Sequence, residues 1–244
     1  MDPTTSQSAA PAPSTGLIGI AVLCMLASLY AAFLYAPTDS FQGDAQRLFY
    51  LHVPAALTMY LAILVVFVAS VLYLQSRDAR WDEVAAAAAE IGLLFGTIVM
   101  ITGPMWAKPV WGTWWEWQDA RLVTFFILWL IFVAYVMLRS YGGAPEQVAR
   151  FCAVLGILAF IGMPITHYSV RWFRTLHPEP VVMTEGGLAG GLVNAPEMLH
   201  AFVIGLVAAF LLFANLFALR LRLERQGRRV QEMRRRLDLV ETSR

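Results

Sequence analysis

Charge is scarce in this chain: Asp, Glu, Lys and Arg make up 14% of its 244 residues, while 59% are hydrophobic and the mean hydropathy is +0.61. Soluble domains carry about a quarter charged residues, so a soluble globular class is excluded. Cysteine is nearly absent; Cys24 and Cys152 have no CxxC spacing and fall inside apolar runs, which reads as small packing residues and says nothing of redox compartment. Residues 1–16, MDPTTSQSAAPAPSTG, hold no lysine or arginine. The charged start of a secretory signal is therefore missing, and the stretch reads as a disordered lead before a retained helix. No GxxxxGK[ST] motif occurs, so the chain carries no ATPase of that kind. The glycine-rich GGLAGGL at 186–192 reads as a flexible loop.

What is abundant is long apolar sequence. A bilayer core about 30 Å thick takes roughly 20 apolar helical residues to cross. Six runs qualify, at about 17–36, 52–75, 84–106, 122–140, 149–168 and 197–219. They are continuous rather than alternating, which selects helices over barrel strands. The expected fold is all-α: a polytopic bundle of six transmembrane helices over 17–219, followed by a basic tail over 220–244.

Six crossings put both termini on one side. That side gathers thirteen of the eighteen basic residues, most of them in the tail, so the positive-inside rule predicts that both termini are cytoplasmic. The external segments are then roughly 37–51, 107–121 and 169–196, and they hold the chemistry. Cytoplasmic loops are short and plain by comparison. In the tail, Val230, Met233, Leu237 and Val240 form a helical apolar stripe among arginines, suited to an anionic leaflet or a cytoplasmic partner; a solvated tail that only fixes topology is the alternative.

Five of the eight tryptophans, at 106, 111, 114, 115 and 117, lie within twelve residues. An interfacial aromatic belt would supply one or two rings per helix end. Five on one segment suggests instead a platform for a flat apolar ligand or for a partner's aromatic surface. Trp114 and Trp117 share a face if the loop is helical, and Gly112 lets the backbone turn or approach a ligand closely. Glu116, Asp119 and Arg121 are expected at the rim.

The first external segment ends in HVPAA, with His52 at the mouth of the second helix and Pro54 in its first turn. The third contains SVRWFRTLHP, with His177 in a loop. Each alone is an ordinary histidine. Together, on one face and beside an aromatic platform, two neutral imidazoles are what a metal inside a planar macrocycle needs. His200 is spaced to touch Glu197 on the last helix, Glu90 is expected to reach the cytoplasmic interface, and no role is read for His167.

WGTWWEWQDARLVT at 111–124 resembles the tryptophan-rich WWD motif of the heme-handling protein family, and the six helices with HVPAA at 52–56 and SVRWFRTLHP at 169–178 are similar to its CcmC branch, which serves cytochrome c maturation. The motif's usual spacing is interrupted by Gln118 and Val123, Phe173 replaces a tryptophan and Pro178 a polar residue. The resemblance implies heme b bound at the outer face of a bacterial inner membrane. It implies His52 and His177 as axial iron ligands and Trp111, Gly112, Trp114, Trp115, Trp117, Asp119 and Arg121 around the macrocycle. Implied partners are a membrane-anchored periplasmic heme chaperone, ABC-type ATPase and membrane subunits, a small single-helix membrane protein and the lipid bilayer, with no nucleic acid. The activity implied is binding and delivery without catalysis. Arg47, Lys108, Arg121, Arg171 and Arg174 are the external cations available to the heme propionates.

The alternative is a permease moving heme across the bilayer within an ABC-type complex. It would want polar residues along the middle of the helices, and Gly103–Pro104 and Gly162–Pro164, the few breaks in helical sequence, both lie toward outer ends. A heme-ligating oxidoreductase would need histidines at several depths. A purely structural subunit would use the tryptophans for docking.

Overall fold

Helices begin and end here where side chains or special backbone conformations satisfy the terminal backbone groups. The computed structural model describes residues 14–177 and 195–242. All but the end of the 1–16 lead therefore lies outside the described residues, as do GGLAGGL and the rest of the third segment from 178 to 194. Helix α1 (Thr15–Tyr30) is capped by Ser14 Oγ, which accepts from Leu17 N at 3.1 Å, and closes in a π-helical turn, Ala31–Tyr35. The carbonyls of Ala32 and Ala36 beside that turn accept from Arg47 Nη1 at 2.9 and 3.2 Å. A 3-10 turn, Asp44–Leu48, leads into α2 (Phe49–Ser76). Then follow α3 (Ala79–Trp111), α4 (Ala120–Tyr141), α5 (Pro145–Trp172) and α6 (Pro196–Thr242). Six helices are long and apolar enough to cross a membrane, and no strand occurs among the described residues.

Three expectations change. Phe49 opens α2, so His52 stands inside the helix rather than at its cap, and Pro54 lies within the helix. Trp106 and Trp111 belong to the last turns of α3, which runs past the expected start of the external loop at 107. Only residues 112–119 connect α3 to α4, and they are not helical, so Trp114 and Trp117 share no helix face.

Helix α2 packs on α3, α5 and α6, while α4 lies against α3 and α5, and α1 against α6. Met59, Ile63 and Val66 of α2 meet Phe95 of α3 and Leu128 and Phe132 of α4 in one buried cluster. Small residues let these backbones approach, which is how helices associate in lipid without a hydrophobic drive. Ala85 through Ala89 are all buried on α3. Pro54 lacks the N–H that would bond the Tyr50 carbonyl. Gly205 of α6 packs against that carbonyl so tightly that a Cβ would come within 2.9 Å of the oxygen.

At the end opposite the tryptophan segment, α6 continues as one helix past its apolar stretch. Its 47 residues span about 70 Å at ~1.5 Å per residue. Arginines of α6 and Arg139 at the end of α4 bind acids of α3 and α6 there. Arg139 pairs with Asp82 at 2.7 Å and Glu224 at 3.4 Å, Arg228 with Glu83 at 2.9 Å, and Arg225 with Glu83 at 3.3 Å. Arg220 bridges Glu90 and Glu224. The start of the tail is thus an ion-paired extension of α6, and the end that looked plain from its short loops is the most highly charged part of the bundle.

Candidate functional site

Two histidines from distant parts of the chain open onto one cavity, and each is held by a different device. His52 sits in the first turns of α2 with Nδ1 2.9 Å from Thr102 Oγ1 of α3. The Thr102 hydroxyl has one proton and donates it to the Ile98 carbonyl at 2.7 Å. Its oxygen must then accept from His52, which puts the imidazole proton on Nδ1 and leaves the lone pair on Nε2. Trp106 meets the ring edge-on at 5.8 Å. Gly103 makes room for it, since a Cβ there would lie 3.3 Å from His52 Cε1.

His177 lies beyond the end of α5, in a loop held by Asp119. That carboxylate is 2% exposed and does two jobs. Oδ1 caps α4 by accepting from Arg121 N at 3.0 Å and Leu122 N at 3.1 Å. Oδ2 accepts from Thr175 Oγ1 at 2.6 Å and Leu176 N at 2.8 Å, and His177 Nδ1 lies 3.5 Å from Oδ1. Burial pushes the Asp119 carboxyl up, but these contacts outweigh it and hold the group well below the usual carboxylate range. Burial likewise pushes the His177 imidazole down; Asp119 pulls it back up and Arg121 presses it down, leaving it below its ordinary value. His177 is therefore neutral near pH 7, with Nδ1 toward the carboxylate. Such a carboxylate–histidine pair is the usual outer support of a metal-binding imidazole.

The cavity between them measures about 360 Å³, within the range of small-molecule pockets. Of the anticipated residues, His52, His177, Trp111, Trp115 and Arg121 line it. Trp111 also meets the His177 ring at 4.8 Å. Gly112 and Asp119 support the site without lining it. Gly112 ends α3 with φ +78°, a conformation that suits glycine, and its carbonyl accepts from Lys108 Nζ at 2.9 Å. Trp114 and Trp117 do not line the cavity; they are 58% and 68% exposed on its outer side, Trp117 resting on Trp115. Gln118 falls in the turn before the Asp119 cap, where Asp119 N donates to Glu116 O at 3.2 Å. Gln118 thus lies in the loop, ahead of α4.

Three buried nitrogens on the lining, Arg121 Nη1, Trp115 Nε1 and His177 Nδ1, have no hydrogen-bond partner among the described residues, the last standing at ion-pair distance from Asp119. Arg47 is occupied by Asp44 and two carbonyls, and Lys108 by Gly112; neither lines the cavity, nor do Arg171 and Arg174. The lining also includes Trp106, a member of the tryptophan cluster, and Tyr60 and His167, to which the sequence assigns no role. Trp106 was visible as the first ring of the cluster. The inward placement of Tyr60 and His167 depends on how α2 and α5 pack and had no local signal. His200 contacts Tyr35 Oη at 3.2 Å through Nδ1, in place of the expected Glu197.

A family model described as heme exporter protein C (CcmC) matches residues 2–236. The heme exporter protein C of Bradyrhizobium diazoefficiens is 35% identical over 217 residues, covering 89% of this chain and 80% of that protein. A ccmC-like mitochondrial protein of Marchantia polymorpha, named for cytochrome c biosynthesis, is 32% identical over 203 residues, 83% of this chain and 81% of its own. The heme exporter protein C of Escherichia coli K12 is 37% identical over 145 residues, 59% of each chain.

Proposed function

The chain belongs to the heme exporter protein C family, and on that premise we propose that it binds heme b between His52 and His177 and hands it on, chemically unchanged, during cytochrome c maturation. The observation that carries this reading is the pair of imidazoles on one apolar cavity, His52 with Nδ1 bonded to Thr102 and His177 with Nδ1 turned toward Asp119 at 3.5 Å, which leaves each Nε2 to coordinate. Heme iron supplies two axial positions for such ligands. Trp111 and Trp115 offer ring surface to the macrocycle. Arg121, partly buried and with its Nη1 unpaired among the described residues, offers the charge that a propionate needs. Asp119 and Gly112 act on the site by positioning, and the exposed Trp114 and Trp117 present an apolar surface at its mouth.

With thirteen of eighteen basic residues at the opposite end, the cavity faces the periplasm and both termini the cytoplasm of a bacterial inner membrane. The recipient is a membrane-anchored periplasmic heme chaperone. ABC-type ATPase and membrane subunits and a small single-helix protein complete the assembly. The chain is a carrier rather than an enzyme.

Protein purified in mild detergent and titrated with hemin is expected to give a Soret band typical of bis-histidine ligation. His52→Ala and His177→Ala, with helical circular dichroism unchanged, each shift or abolish it. A wild-type protein that acquires no such band sinks the assignment, and the tryptophan segment then becomes a docking surface only.

A further inference from the structure

Tyr60 of α2 and His167 of α5 line the same cavity as the two proposed iron ligands, and the reading above gives neither a task. Their rings meet edge to face at 6.3 Å. Both lie within electrostatic range of Arg121, whose buried Nη1 has no partner among the described residues. Tyr60 follows His52 by eight residues on one helix, so it lies about 12 Å farther along the α2 axis, toward the interior of the bundle. A phenol from α2 and an imidazole from α5 thus meet on a cavity that is otherwise mainly apolar and aromatic, and a guanidinium from the first turn of α4 lines the same cavity. Iron has two axial positions, and His52 and His177 fill both, so a third imidazole on the lining needs another ligand atom. The three groups share one competence: each donates an N–H or O–H to an anion, and one brings a fixed positive charge.

We propose that Tyr60, His167 and Arg121 form an inner carboxylate subsite that takes the heme propionates. This rests on the heme-binding reading and adds an orientation to it. Heme enters carboxylate edge first, and its apolar edge is left toward the exposed Trp114 and Trp117 at the mouth, where a recipient would approach. Burying a carboxylate is costly unless it is paired and hydrogen-bonded, and these three groups provide both. The unpaired Arg121 N–H is satisfied in the same step.

The test compares hemin with hemin dimethyl ester, which keeps the iron and ring but has no carboxylate charge. Wild-type protein in detergent is expected to bind hemin at least tenfold more tightly than the ester. Tyr60→Phe and His167→Leu should each lower hemin affinity severalfold, leaving ester affinity and the position of the Soret band unchanged. His167→Gln, which keeps a donor, should restore part of the preference. Variants that retain the full wild-type preference overturn the proposal. So does an equal loss for both porphyrins, which marks a merely structural role, or a Soret shift in His167→Leu, which marks an iron ligand. If neither porphyrin gives a bis-histidine spectrum with wild-type protein, it is the underlying heme reading that has failed.

Discussion

Asp119 shows how much of a site one residue can organise without touching what binds there. Its two oxygens tie the first turn of α4 to the loop that carries His177. Replacing it by Asn keeps the carbonyl oxygen that caps α4 but removes the charge beside the imidazole. Asp119→Asn is expected to weaken hemin binding 10- to 100-fold, as loss of an outer-shell partner does, and to cost some stability, since the amide nitrogen in place of Oδ2 cannot accept from Thr175 and Leu176. Asp119→Ala also loses the cap, at about 0.5–2 kcal/mol, visible as a lower unfolding midpoint. The Asp119 carboxyl raises the imidazole of His177, so its removal leaves His177 more firmly neutral; a loss of affinity in Asp119→Asn is therefore one of orientation and not of protonation. The same shifts set a pH window. An ordinary imidazole, near 6.5, is mostly protonated at about pH 6. His177, held lower, is less protonated there than a free imidazole, so loss of the Soret band on acidification should set in at a lower pH than a free imidazole's titration would give. In the fold, the depressed imidazole contributes stability above about pH 6.5 that fades as pH falls toward its folded value. The depressed Asp119 carboxyl contributes above about pH 4 and fades only below that. The histidines, Trp111, Trp115 and Arg121 were legible in the sequence because residue type and segment sufficed. The split between lining and exposed tryptophans was not, since it depends on Gly112 ending α3 and turning the loop.

Helices were legible in their apolar middles and misjudged at their ends, for a physical reason. Hydropathy counts side-chain transfer, whereas the backbone stays helical through polar turns as long as its hydrogen bonds are supported. α3 begins at Ala79, before the run read from 84, because Asp78 caps it by accepting from Arg80 N at 2.9 Å. α6 runs past the stretch that ended at 219 because Arg220, Arg225 and Arg228 find acids on a neighbouring helix. Pairings 130 to 142 residues apart leave no periodicity to read. Asp82 is the most exacting member of this group, since its two oxygens serve Arg139 and it also meets Arg228 at 3.5 Å. Side chains of Arg139 and Asp82 are only 16% and 10% exposed, so removing one partner leaves the other charge poorly solvated. Asp82→Asn is expected to destabilise the bundle by about 3 kcal/mol, the lower end for a broken buried pair, measured by denaturant or thermal unfolding in detergent. Arg80→Ala breaks only the exposed pair with Asp78 and should leave the unfolding midpoint nearly unchanged.

At the scale of the whole molecule, the cavity and the ion-paired cluster occupy opposite ends, with the buried apolar layer of Met59, Ile63, Val66 and Phe132 between them. Among the described residues the polar groups beside that layer, Thr58 and Thr97, are turned to helix carbonyls, an arrangement in keeping with the proposed binding and release at one face. Sites so far apart with no shared partners should act additively: Asp82→Asn lowers stability and leaves hemin affinity as it was. The separation also makes orientation testable, because each end has an exposed position to label. Gln118, in the turn before α4, and Gln226, on the α6 extension, are both exposed. Cys152 is buried and Cys24 partly so, and replacing Cys24 by Ala gives a quiet background. In intact spheroplasts, a membrane-impermeant maleimide should label Gln118→Cys promptly and Gln226→Cys only after the membrane is opened. The physical basis is the retention of arginine on the cytoplasmic side: Arg220, Arg222, Arg225, Arg228 and Arg229 flank the label at 226, whereas only Lys108 and Arg121 lie near the label at 118. Prompt labelling at 226 with protection at 118 would invert the chain, put the histidine cavity in the cytoplasm and rule out a periplasmic recipient.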